Sequence, residues 1–318
     1  MARDIPTEAE VLGWYTSLSN WGRWGHDDEL GTLNLITPEK RAQAAGLVRE
    51  GLTISCARTL RFEAIPDVPV PPQHFMLRSG EGEATERVGR SNARDAFLIA
   101  PHGHTITHLD APSHTFVRSD PAAPWTMYNG RPRNLVKTEG AMAGSIELVG
   151  EGIVSRGVLL DIARLRGVPW LEATDPVFPE DLEAAEAAQD VRVEPGDVLF
   201  VRTGYPKRLA EGGSRRPGEG MTGFQAACLP WLHERDVALI GSDTANDVAP
   251  TQYPGLGTNG AVHGVGMGAL GLWLLDNPDF EALTAACARL GRWAFLATIA
   301  PLKLERGTGS PVNPLAIL

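Results

Sequence analysis

The chain of 318 residues reads as one α/β domain, and three observations predict this class. Short apolar runs bounded by glycine alternate with amphipathic or alanine-rich stretches, the pattern of strands and helices in alternation. Glycine and proline number 35 and 24 and are spread along the chain, so turns recur throughout. No stretch has the composition of an interdomain linker, which makes 1–318 a single unit.

The elements follow in order. Residues 1–35 are expected as a possible extended N-terminal arm. Residues 38–50, PEKRAQAAGLVRE, predict a helix opened by Pro38 and stopped at Gly51. Segments 157–163 (GVLLDIA), 196–204 (GDVLFVRTG) and 236–243 (DVALIGSD) predict buried strands. Between the first two, 179–189 (PEDLEAAEAAQ) carries proline and then acidic residues at a helix start. Segment 268–276, GALGLWLLD, suits helix or strand equally. Residues 280–291 predict a helix, and 293–304 a long strand or a strand pair.

Composition narrows the function. A net charge of −10 opposes a nucleic-acid partner, which would require a basic face. Cys56, Cys228 and Cys287 are far apart and form no CxxC pair, as expected of reduced thiols in a cytoplasmic protein. No signal-type N-terminus or membrane span is read. The expected partner is a small-molecule substrate, with no nucleic acid and no membrane.

Chemistry concentrates at residues 102–114, PHGHTITHLDAPSH from Pro101, which hold four of the eight histidines. The β-branched run Thr105-Ile106-Thr107 disfavours helix, and Pro112 breaks any continuing ladder. In extended chain, His104, His108 and Asp110 share a face. Straight extension would still leave His104 and His108 about 13 Å apart, so a bend must bring them together. Two imidazoles and a carboxylate suit one divalent ion, Zn²⁺ or Mn²⁺, with positions left open for water and substrate. His114, past the proline turn, is placed to move protons. Chance enrichment of surface histidines is the competing reading; four in thirteen residues with an aspartate at ligand spacing weigh against it.

The run His104-Thr-Ile-Thr-His108-Leu-Asp110-Ala-Pro112-Ser-His114 resembles the motif H-x-G-T-H-x-D-x-P-x-H of the cyclase family, which includes kynurenine formamidase and isatin hydrolase. Ile106 stands in place of the glycine. The resemblance to the longer members extends through NWGRWGHDDELGTLN (20–34), MYNG (127–130), 152–168, 193–204 and GTGSPVNPLAI (307–317). It implies a compact fold with a mixed, barrel-like sheet flanked by helices (the swivelling β/β/α type), commonly a homodimer or homotetramer. It also implies hydrolysis of an amide or cyclic amide, with His104, His108 and Asp110 on a first metal and His114 catalytic. One ion is expected and two are allowed. His263 and Asp276 are the second-site candidates by resemblance, although Asp276 is one methylene shorter than the family's glutamate.

Trp24, Phe75, Trp125 and Tyr128 are candidates for an apolar substrate pocket, against ordinary packing as the alternative. His102 suits a supporting hydrogen bond. The run His26 to Glu29 is explained more simply by a turn than by ligation. Asp243 and Asp247 sit at a strand end, where functional loops gather. No GxSxG elbow or phosphate loop is present. The expected activity is a metal-dependent hydrolase of a C–N bond in a formamide, lactam or imide. The rivals are a metal-dependent lyase or cyclase, a lactone hydrolase, and a binding protein that has lost catalysis.

Overall fold

A computed structural model describes residues 3–64, 68, 70–81, 89, 91–213, 219–256 and 260–318. Its centre is a nine-stranded mixed sheet. In chain order the strands are β1 (Thr53–Ser55), β2 (His108–Asp110), β3 (Ile153–Asp161), β4 (Val198–Arg202), β5 (Leu239–Ser242), β6 (Trp273–Asp276), β7 (Ala294–Ile299), β8 (Gly309–Pro311) and β9 (Leu315–Ile317). Their spatial order is β1-β9-β7-β3-β4-β5-β6-β2-β8. The middle four, β3 to β6, run parallel, and the remaining pairs are antiparallel.

The parallel strands are apolar along their length because both faces are covered. On one face Val158, Leu160, Leu199, Val201, Ile240 and Leu274 join a cluster with helix Val262–Leu270. On the other, Leu159, Phe200, Leu239, Leu275 and Phe295 pack with Phe280 and Leu283. This period-two division places every second residue of a strand against a different core. At the sheet's end Arg202 bridges Asp161 at 2.9 Å and Glu281 at 2.8 Å, pairing charges that the strand ends bury.

Most expected elements form, with shifted limits. Helix Pro179–Gln189 spans the predicted residues. The helix predicted over 38–50 covers only Pro38–Ala45, since Gly46 ends it before Gly51 does. The ambiguous 268–276 segment divides. A wide π-type helix runs through Leu270, Gly271 turns the chain at φ 68°, and β6 follows. A side chain at Gly271 would also meet the Tyr128 ring at 2.5 Å. The 293–304 segment is a strand only to Ile299.

Within residues 1–35 the described residues hold a helix and a short turn, Gly31–Leu35. Thr7 and Glu10 form a reciprocal cap that starts helix Glu8–Ser17, which buries Val11 beside helix Val262–Leu270. Asn20 then donates to the Leu270 carbonyl at 2.9 Å. The acidic run belongs to a turn. Asp28 accepts from the backbone N–H groups of Leu30 and Gly31, and Asn129 Nδ2 donates to the carbonyls of Gly25, His26 and Asp28.

Candidate active site

The site is assembled where β2 meets β6. Antiparallel register sets Asp276 opposite His108 and Leu274 opposite Asp110. Because alternate residues share a face, His108, Asp110 and Asp276 all point to the same side of the sheet. Helix Val262–Leu270 lies over that side and contributes His263 near its first turn. After β2, Pro112–His114 forms a tight turn, with the His114 N–H bonded to the Ala111 carbonyl at 2.8 Å, and the turn returns the His114 ring toward Asp110.

The side chains meet around one carboxylate oxygen. Asp110 Oδ2 is buried and accepts no hydrogen bond. It lies 3.5 Å from His263 Nε2 and 3.9 Å from His114 Nε2. Asp276 Oδ2 stands 3.5 Å from His263 Nε2 and 3.9 Å from His108 Nε2. His108 Nε2 is 3.4 Å from Asp110 Oδ1. These gaps are long for hydrogen bonds. They are close to the spacing between ligands on one tetrahedral ion, about 3.4 Å for bonds of ~2.1 Å. Two sets of three ligand atoms lie within 4.8 Å of one another: His102, His108 and Asp110, and Asp110, His114 and His263. The donors are hard oxygens and imidazoles, and an orphaned buried carboxylate oxygen calls for a cation. The residues fit a divalent metal.

Each imidazole is oriented from behind. The His108 Nδ1–H donates to the Ile106 carbonyl at 2.7 Å, leaving Nε2 to face the cluster. His102 bridges Asp110 Oδ1 at 2.8 Å and Thr308 Oγ1 at 2.9 Å, so both of its ring nitrogens are engaged. Its ring also stacks on His114 with centroids 3.9 Å apart. Gly309 makes room for that ring, since a Cβ there would fall 2.6 Å from His102 Cε1.

The expected bend exists, and it brings in a different histidine. Asn277, at φ 57° directly after Asp276, donates to the Gly103 carbonyl at 2.7 Å, and its own carbonyl accepts from Thr107 Oγ1. These bonds pin the loop before β2 so that His102 turns inward beside Asp110. His104 lies exposed in that loop and supplies no atom to either ligand set, in contrast to the sequence expectation. His108, Asp110, His114, His263 and Asp276 lie together in the cluster. Neither Thr308 nor Asn277 carried a signal in sequence, because each reaches the site from more than 160 residues away.

Burial and charge give the groups different chemistry. Burial would raise the Asp110 carboxyl, but the imidazoles of His108 and His102 and then His263 outweigh it and hold the group well below the usual carboxylate range. Burial pushes the His114 imidazole down to about 4, against an upward pull from Asp110 and with a further downward push from His102. Burial would likewise lower His263, yet Asp276 foremost, then Asp110 and Asp247, hold it well above its ordinary value. His114 is therefore a neutral base at pH 7. Its side chain is 27% exposed and lines a cavity while Asp110 is fully buried, so a substrate can reach His114.

A cavity of about 690 Å³ opens beside His114, lined by Tyr15, Trp125, Arg118, Arg133 and Leu256 among others. Of the proposed pocket aromatics only Trp125 lines it, with the Arg118 and Arg133 guanidiniums 4.7 and 5.8 Å from its ring centre. Tyr128 is buried in the core, and its hydroxyl donates to Asp28 at 3.0 Å. Trp24 lies under the Arg23 guanidinium, and Phe75 stands exposed on a hairpin formed by Gln73–Arg78 and Arg94–Leu98.

The sequence profile of the cyclase family matches residues 51–247, more than half of the chain. The chain belongs to the cyclase family. A solved structure described as a novel cyclase superposes on this chain with a TM-score of 0.81 at 30% identity, covering 96% of this chain and 99% of its own. Isatin hydrolase A from Ralstonia solanacearum matches with a TM-score of 0.53 at 22% identity, and isatin hydrolase A from Labrenzia aggregata with 0.52 at 20%. Each of the two covers 86% of this chain and 94% of its own, and shares the fold. No curated protein sequence matches the chain.

Proposed function

We propose that this cyclase-family protein is a metal-dependent hydrolase that opens an amide or cyclic amide C–N bond. The observation that carries the reading is Asp110 Oδ2, buried without a hydrogen bond beside the Nε2 atoms of His114 and His263, with His108 Nε2 against Asp110 Oδ1 and Asp276 Oδ2 against His108 and His263. His108, Asp110, His263 and Asp276 would hold a divalent cation, Zn²⁺ or Mn²⁺, with His102 fixing Asp110 from outside. A cation there supplies Lewis acidity to a carbonyl oxygen and makes water acidic near neutral pH.

The chain's own part is proton transfer and placement. His114 is neutral and faces the cavity, so it accepts a proton from the attacking water and delivers it to the departing nitrogen. The stacked His102 ring restricts the His114 plane, and Trp125 offers an apolar wall to a planar substrate. Likeness to isatin hydrolases in fold is consistent with a cyclic amide as substrate.

Elemental analysis of the purified protein, followed by assays on N-formyl aromatic amines and isatin-like lactams in ¹⁸O-labelled water, tests the reading. Chelation should abolish turnover, one ion should restore it, and label should enter the product. Turnover without label would instead establish a lyase or cyclase. The same reading includes self-association: Phe75, Met76, Leu77, Phe97 and Leu98 are exposed on one hairpin, a concentration that favours a protein partner and most simply a second copy.

A further inference from the structure

Asp247 lies outside the ring of ligand atoms, in the loop that follows β5, and reaches it through His263. Its Oδ2 accepts from His263 Nδ1 at 2.6 Å and from the His263 backbone N–H at 2.9 Å, while its Oδ1 accepts from the Val262 N–H at 2.8 Å. One carboxylate therefore fixes the start of helix Val262–Leu270 and also the ring that this helix carries. The loop holding Asp247 is itself fixed: its N–H bonds to the Ala245 carbonyl, and residue 247 bridges Phe224. Gly260 passes so close that a Cβ there would overlap the Asp247 carboxylate at 2.0 Å. The carboxylate has no room to swing away.

We propose that Asp247 is the positioning residue for His263 as a cation ligand, an inference that rests on the metal-dependent reading above. Accepting from Nδ1–H leaves Nε2 directed at the space between Asp110 and Asp276, each 3.5 Å away. Fixing the ring orientation before the cation arrives removes an entropic cost of binding, which is how a carboxylate behind a ligand histidine raises affinity. A purely structural helix cap would need only the two backbone contacts. The short contact to Nδ1 is the additional feature, and it is the one aimed at the site.

The two roles separate in substitution. In Asp247→Asn the single side-chain oxygen can still accept from the Val262 N–H, but the amide nitrogen that then faces His263 accepts from neither its Nδ1–H nor its backbone N–H. In Asp247→Ala every one of these contacts is lost. Mn²⁺ and Zn²⁺ are each titrated into the metal-free full-length chain in competition with a chelating dye, with no substrate present. D247N should weaken cation affinity about 10- to 100-fold. In a His263→Ala background, with His263→Leu as the replacement should the first not fold, D247N should cost nothing further.

Affinity in D247N within threefold of wild type overturns the proposal while leaving the metal-dependent reading standing. An equal loss in the presence and absence of His263 also overturns it, because Asp247 would then be acting on the fold. A wild-type chain that takes up neither cation overturns both readings together. Unfolding midpoints of the metal-free variants are measured alongside; D247N should fall less than D247A, since it retains the contact to the Val262 N–H.

Discussion

Asp110 is the residue on which the site turns, and its two oxygens are used differently. Oδ1 is fixed by His102, and Oδ2 is left facing the imidazoles of His114 and His263. His102→Ala should therefore weaken cation affinity measurably, and His104→Ala should leave it near wild type; dye competition on both variants checks the assignment. His114→Ala should lower kcat by about 10²- to 10⁴-fold, the usual worth of a positioned acid–base group, with metal content by elemental analysis unchanged. The pH dependence follows from the burial of His114. Its folded value of about 4 lies below the ordinary histidine value of 6.5, so the neutral base persists in mild acid and the acid limb of kcat/KM should fall well below 6.5. In metal-free protein the same shift disfavours folding as pH drops from 6.5 toward 4, because the unfolded chain binds that proton more readily. Denaturant melts of wild type and His114→Gln should converge with falling pH if wild type is the more stable at pH 7, and in either case wild type should lose more.

At the scale of elements, β2 and β6 do most of the assembly. Antiparallel pairing puts Asp276 across from His108, and a slip of β2 by one residue would send His108 and Asp110 into the opposite core, away from Asp276. Strand β8 covers the outer edge of β2 and brings Thr308 and Gly309 beside His102. Gly309→Ala would set a methyl group 2.6 Å from His102 Cε1 and 2.8 Å from the Leu109 carbonyl. The ring must move, so the unfolding free energy should drop by about 1–3 kcal/mol, as for other overpacked sites, and cation affinity should fall with it. Calorimetry and the dye assay read the two effects separately.

Across the whole molecule, a sheet buried on both faces is a rigid base, and the site sits at its edge where loops and the π-type helix Val262–Leu270 close over it. Such wide helical turns are frequent at functional sites. The hairpin Gln73–Arg78 with Arg94–Leu98 contrasts with this base, because both of its faces are largely exposed. A lone two-stranded ribbon is marginal in water. Sedimentation velocity should accordingly give at least twice the mass of one chain, and Phe75→Ser with Leu98→Ser should shift it toward the monomer. Among the described residues no helix is long and apolar enough to cross a membrane.

Much of this architecture is legible in the amino-acid sequence by itself. Periodicity and glycine punctuation determined the parallel strands and helix Pro179–Gln189, because a strand buried on both sides must be apolar throughout and a helix start must be capped. The motif from His104 to His114 likewise announced a cation site, since that donor set at short spacing has few other uses. Only the tertiary structure decided that His102, and not His104, turns in, because the choice depends on Asn277 pinning the loop from 170 residues away. It also decided that Asp247 backs His263, that Tyr128 is spent on core packing, and that the N-terminal segment is a packed helix. Local patterns report which side of an element is buried; which distant side chain meets it is set by strand order and register, and these are properties of the whole chain.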